Sequence, residues 1–165
     1  MTLREIQQPI KDRYREEPGA AEITLRAVGT LADGAMSCSV DLGRALYAAG
    51  AHPGVGGSGA SACSGDLLLG ALAACAQITC QMVAANMGLE GATISVTVEG
   101  DLDLRGTLGT ADVPVGFKAI RVEFGFDGDL PPDRLERLKE RTERYCVVFQ
   151  TLLTPPPIEV RWVSA

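Results

Sequence analysis

Ser64-Gly65-Asp66-Leu67-Leu68-Leu69-Gly70-Ala71-Leu72-Ala73-Ala74-Cys75-Ala76-Gln77-Ile78-Thr79-Cys80-Gln81-Met82-Val83-Ala84-Ala85-Asn86-Met87-Gly88 is the stretch on which the fold turns. Ser64 is suited to cap a helix, and Asp66 puts a carboxylate in the first turn, where the helix dipole is positive. From there to Met87 the chain is apolar nearly all round, and Gly88 can adopt the left-handed conformation that ends a helix. A helix with no polar face must be buried. Its length approaches that of a membrane span, yet Gln77, Thr79, Gln81 and Asn86 interrupt it and its flanks carry no aromatic or basic anchors. Gly70, Ala71, Ala73, Ala74 and Ala76 would let another helix or a sheet come close around Cys75.

Outward from this helix the pattern becomes that of strands. Upstream, Ile23, Leu25 and Ala27 alternate with Glu22, Thr24 and Arg26, the period of a half-buried strand. Asp33-Gly34 then reads as a hairpin turn. A returning strand follows through Met36, Cys38 and Val40, and Arg44-Ala45-Leu46-Tyr47 reads as another short one. Residues 49–63 form a glycine-rich loop with no Gly-Lys-Ser/Thr after it and no dinucleotide fingerprint, so it is read as a lid, a site wall or simply a mobile segment rather than a phosphate cradle. Downstream, alternation returns at Ile94, Val96 and Val98, and again at Phe117, Ile120, Val122, Phe124 and Phe126. Pro131-Pro132-Asp133 opens a second helix, with Leu135 and Leu138 as a narrow apolar seam among charged residues. Ile158-Glu159-Val160-Arg161-Trp162-Val163 reads as a closing strand. The fold class is therefore α+β, built around one central helix, with residues 1–20 as an N-terminal arm or short helix and residues 21–165 as a single domain.

A chain of 165 residues with 46% hydrophobic residues can bury roughly 70% of its unfolded surface in one core. The net charge of −6 argues against nucleic acid as a partner, because phosphate binding needs a basic stripe. The first residues, Met1 to Pro9, lack the apolar run of an export signal, which makes the cytoplasm the expected location, with no membrane partner. The single histidine, His52, and the lack of short paired cysteine spacings point to no metal. Five cysteines, an odd number in no regular framework, suit reduced thiols better than structural bridges.

Two of them have unlike settings. Cys75 lies inside the buried helix, and Cys146, in Glu143-Arg144-Tyr145-Cys146-Val147-Val148, lies where the charged helix runs out. Were they to meet in the fold, one could attack an oxidant and the other resolve the product as a disulfide. Both could equally be ordinary core cysteines, which are among the most buried residues. Composition leaves both readings open.

The two cysteine segments, with Phe117-Lys118-Ala119-Ile120-Arg121-Val122 between them and the same element order, resemble the OsmC/Ohr family of osmotically inducible and organic hydroperoxide resistance proteins. The resemblance covers about residues 21–164. It implies antiparallel sheets around the long buried helix in an intertwined homodimer, a peroxidatic thiol at Cys75 and a resolving thiol at Cys146. Hydroperoxide-reducing members carry a glutamate ten residues before the first cysteine, where this chain has Gly65; Asp66 instead matches the acidic residue of a less characterised branch. Val147 stands where many members have proline. The arginine that steadies the thiolate is assigned to Arg44 rather than Arg26.

The activity so implied is reduction of an organic hydroperoxide by Cys75, condensation with Cys146 and re-reduction by an external dithiol, without a metal or organic cofactor. Leu68, Leu72, Val147 and Phe149 would line the apolar substrate site. Nine helical residues, roughly 13 Å of rise, separate Asp66 from Cys75 on opposite faces, so Asp66 is expected to act across a twofold interface. The competing expectation is a non-catalytic protein of the same fold that holds a small apolar ligand at the dimer interface. Cys38, Cys63 and Cys80 are read as structural, with Cys63 an alternative resolving thiol.

Overall fold

The computed structural model describes residues 3–22, 24, 28–31, 37–41, 46–89, 93–128 and 130–163. It is an α+β chain whose elements run α1 (Leu3–Glu16), β1 (Val28–Leu31), β2 (Ser37–Asp41), β3 (Leu46–Gly50), α2 (Ser64–Asn86), β4 (Thr93–Asp101), α3 (Leu104–Thr107), β5 (Ala119–Asp127), α4 (Pro132–Tyr145) and α5 (Val147–Leu153). Two compact units result, one from residues 1–70 and 97–123, the other from residues 71–96 and 124–165.

In the first unit β1, β2 and β3 form an antiparallel sheet in that order, with Leu31 opposite Cys38 and Val40 opposite Tyr47. The β1–β2 pairing is that of the expected hairpin, although its Asp33-Gly34 turn lies outside the described residues, as do Ile23, Leu25 and Ala27. The glycine-rich loop is tied to the sheet by a parallel bridge between Ala49 and Ala62, where the Gly50 amide donates to the Ala62 carbonyl at 3.0 Å. Within it Gly57 comes so close to the backbone of Ala51 that a Cβ would lie 1.6 Å from the Ala51 carbonyl oxygen. Only glycine fits that approach.

β4 and β5 form a two-stranded sheet. Along β4 half-buried Ile94, Val96 and Val98 alternate with exposed Thr93, Ser95, Thr97 and Glu99, the period that the sequence predicts. The core of the second unit joins Cys80, Val83 and Ala84 of α2 to Leu138 of α4, with Met87, Leu89, Ile94, Phe126 and Leu130 packed around them. The α2 residues recur at helical spacing, so one stripe is buried, and the Gln77 side chain donates to the Ile94 carbonyl at 2.8 Å. The helix ends as expected at Gly88, φ +66°, in a full left-handed cap: the Gly88 amide donates to Ala85 and the Leu89 amide to Ala84.

Three expectations are corrected. The capping position of α2 is held by Cys63, not Ser64, because the Cys63 carbonyl accepts the first helical hydrogen bond from Leu67 at 3.1 Å. A short helix, α5, follows Cys146 directly, where the sequence reading assigned no element. The closing segment Ile158 to Val163 forms no strand: Ile158, Val160 and Trp162 alternate correctly but stand exposed, Trp162 at 95%. A strand exists only against a partner, and periodicity cannot supply one.

Candidate active site

Cys75 and Thr79 lie one turn apart on α2, at the edge of its buried stripe of Leu72, Ala76, Cys80, Val83 and Ala84. Cys146 is the joint between two helices. Its amide donates to the Thr142 carbonyl at 3.0 Å and so closes α4, while its own carbonyl accepts from the Gln150 amide at 2.9 Å and so opens α5. The backbone there is extended, φ −74° and ψ 104°, and the Gln150 side chain secures the break by donating to the Glu143 carbonyl at 2.9 Å. A new helix begun at this point leaves its first amides without intrahelical acceptors. Those of Val147 and Val148 act on the Cys75 thiol and favour its charged form.

The two thiols are both free, and each shifts the titration of the other. Burial pushes the Cys75 thiol up, but the Val148 amide, the Cys146 thiol, the Thr79 hydroxyl and the Val147 amide outweigh it, and the net displacement is downward. Cys146, only 1% exposed, moves the other way. Its burial raises it, and the neighbouring Cys75 raises it further against the help of the Phe149 and Val148 amides. The pair is thus polarised: the first proton to leave comes from Cys75, and Cys146 keeps its own to donate.

The remaining predicted residues are distributed differently. Arg44 lies outside the described residues, as does Arg26. Among the described residues, the groups that lower Cys75 are donors on α2 and α5. Asp66 accepts the Cys63 amide at 2.9 Å, which closes the capping arrangement at the start of α2; that contact and the Cys63 thiol hold its carboxyl below the usual range. Leu72, 1% exposed, belongs to the packed stripe, whereas Leu68 and Val147 are exposed and Phe149 is half-buried. Thr79 and Val148 are the contributors that sequence reasoning missed. Thr79 was recoverable from its position four residues after Cys75; the Val148 amide carries no side-chain signal at all.

In the first unit a cavity of about 250 Å³ is lined by His52, Cys63, Gly65, Asp66, Leu102 and Phe117, among others. His52 accepts the Gly54 amide through Nδ1 at 3.0 Å, and a Cβ on Gly65 would meet Phe117 at 3.4 Å and the Cys63 sulfur at 3.5 Å. The space at this glycine is therefore real but narrow. Among the described residues no cluster of three or more histidine, cysteine or acidic side chains is placed to hold a metal ion.

The family model described as OsmC-like protein matches residues 57–161, a span that takes in both cysteines and every contact just described around them. The chain belongs to the OsmC-like family. No curated protein matches it in sequence. Among solved structures it is similar to an OsmC-like protein from Mycoplasma pneumoniae, with a TM-score of 0.64, 16% identity, and coverage of 81% of this chain and 90% of that one. It is also similar to an organic hydroperoxide resistance protein OsmC from Legionella pneumophila, TM-score 0.62, 20% identity, covering 81% and 92% of the two chains. The organic hydroperoxide resistance protein OhrB of Bacillus subtilis gives a TM-score of 0.51 at 18% identity, covering 81% and 93%. These likenesses establish the OsmC fold for this chain.

Proposed function

We propose that this OsmC-like protein is a thiol-dependent peroxidase that reduces organic hydroperoxides, with Cys75 as the attacking thiol and Cys146 as the resolving one. The observation that carries the reading is the pair itself: two free, neighbouring thiols, Cys75 displaced toward its charged form and the almost wholly buried Cys146 toward its neutral form. The Cys75 thiolate attacks the distal oxygen of ROOH, the O–O bond breaks, and the leaving alkoxide takes a proton to depart as ROH. Cys75 is now a sulfenic acid. The Cys146 sulfur displaces its hydroxyl as water and forms the disulfide, which an external dithiol reduces back to two thiols while becoming a disulfide itself. No step calls for a metal or an organic cofactor.

The Val147 and Phe149 side chains, on α5 directly after Cys146, favour an organic over a hydrated oxidant. A homodimer is part of the reading. Ala71, Ala74, Ile78, Met82 and Ala85 lie exposed along one side of α2, an apolar face suited to a second copy of the same helix. Free thiols working this cycle suit a reducing cytoplasm. The test is consumption of cumene hydroperoxide with dithiothreitol as reductant. Cys75→Ser should abolish catalytic turnover, and Cys146→Ser should leave a single stoichiometric reduction; undiminished consumption by Cys75→Ser would overturn the assignment.

A further inference from the structure

The cavity of about 250 Å³ in the first unit takes none of its walls from Cys75 or Cys146, and those walls divide by character. Phe117, Leu69 and Leu102 give an apolar part; Asp66, His52 and Cys63 give a polar one. The two parts converge at Gly65, where a Cβ would lie 3.4 Å from the Phe117 ring, 3.5 Å from the Cys63 sulfur and 3.7 Å from Leu102. Gly100 seats the ring, since a Cβ there would come within 2.5 Å of it. The loop that carries His52 and Cys63 is pinned by the bridge between Ala49 and Ala62, so the polar groups are in place before anything binds.

We infer that this cavity binds a small primary amine with an aryl body, its ammonium on Asp66 and its ring against Phe117, Leu69 and Leu102. Size follows from the volume. An apolar cavity of roughly 150 Å³ takes benzene, so this one takes about ten non-hydrogen atoms. Sign follows from the charges. Asp66 enters no ion pair among the described residues, and no lysine or arginine lines the cavity. Asp101 and Asp103, on either side of Leu102 in sequence, are already paired with Arg121 and Arg105. His52 accepts the Gly54 amide through Nδ1 at 3.0 Å, and an accepting Nδ1 carries no proton, so the ring is neutral in this arrangement and supplies no fixed cation. The start of a helix would draw an anion, but Asp66 is that anion, bonded to the Cys63 amide at 2.9 Å, and it repels a second one. An ammonium brings donors to the carboxylate, and an aryl body gains edge or face contact with the Phe117 ring.

The test compares 2-phenylethylamine, propylbenzene and 3-phenylpropanoate, which share a ring and chain and end in an ammonium, a methyl and a carboxylate. Binding is followed by methyl NMR shifts of Leu69 and Leu102 in the full-length protein. The amine should shift those methyls and bind more tightly than the hydrocarbon, and the carboxylate should not bind. Asp66→Asn, which keeps an acceptor for the Cys63 amide and removes the charge, should weaken the amine by roughly three- to ten-fold and leave the hydrocarbon unchanged. Added salt should narrow the preference. Gly65→Leu, whose side chain grows from the point where the walls converge, should remove the shifts for every guest; if that variant does not fold, Asp66→Asn decides alone. Amine affinity unchanged in Asp66→Asn, equal binding of the carboxylate, or no shift at these methyls up to the solubility limit would overturn the proposal. None of these readouts depends on peroxide turnover.

Discussion

Cys146 neighbours Cys75 from the joint where α4 ends and α5 begins, and the two thiols shift in opposite directions. The joint has two effects at once. It buries the Cys146 thiol, and it releases two backbone amides that favour the charged form of Cys75. A continuous helix through residue 146 would tie those amides into its own ladder and leave Cys75 to its desolvation cost.

The polarisation predicts an order of titration. Alkylation by iodoacetamide as a function of pH, resolved by peptide mass spectrometry, should show Cys75 reacting at a pH below that of an unperturbed thiol and Cys146 only above it. The two shifts have opposite consequences for stability. The lowered Cys75 contributes stability that is present above its unfolded value and is lost as pH falls through its folded value. The raised Cys146 removes stability as pH climbs past the unfolded thiol value.

Thr79→Val tests the hydroxyl without changing the side-chain size. Losing one of four donors should move the Cys75 thiol upward and slow its alkylation at neutral pH by roughly three- to ten-fold, while the melting temperature changes little. An unaltered rate would mean that the backbone amides suffice alone.

Asp66 acts first as a cap. Asp66→Ala should cost about 1 kcal/mol through loss of its bond to the Cys63 amide, measured by urea unfolding. Because its carboxyl is held below the usual range, that contribution is complete above the unfolded carboxylate value and fades as pH falls through the folded one, so wild type and variant should converge in acid.

Two glycines should respond in opposite directions. Gly57→Ala drives a Cβ into the Ala51 carbonyl and should destabilise by upward of about 2 kcal/mol. Gly70, inside α2, has nothing within 4 Å of a built Cβ, so Gly70→Ala should stabilise the isolated chain by roughly 0.5–1 kcal/mol. If a partner helix packs there, the same change should instead weaken the dimer in analytical ultracentrifugation.

Much of this was legible in the residues. The apolar run with Gly88 after it gave α2 to within a residue at its end, because burial and left-handed termination both leave marks in sequence. Pro131-Pro132-Asp133 likewise announced α4. What was not legible depends on groups or partners without a side-chain signature. The break at Cys146 is a backbone event flanked by helix-compatible residues, so α5 was not read as a separate element. The amides that steady Cys75 belong to valines, whose side chains give no sign of that role. The Ile158 to Val163 segment has the right alternation, but alternation describes a face, not the strand that must lie beside it.

The central claim is that Cys75 and Cys146 form one redox unit, and the most direct measurement is mass spectrometry of the reduced protein after one equivalent of cumene hydroperoxide. The account predicts a loss of about two daltons carried by a peptide pair cross-linked through Cys75 and Cys146. Two unmodified thiols, or a Cys75 oxidised to sulfinic acid beside a Cys146 that never pairs with it, would contradict it.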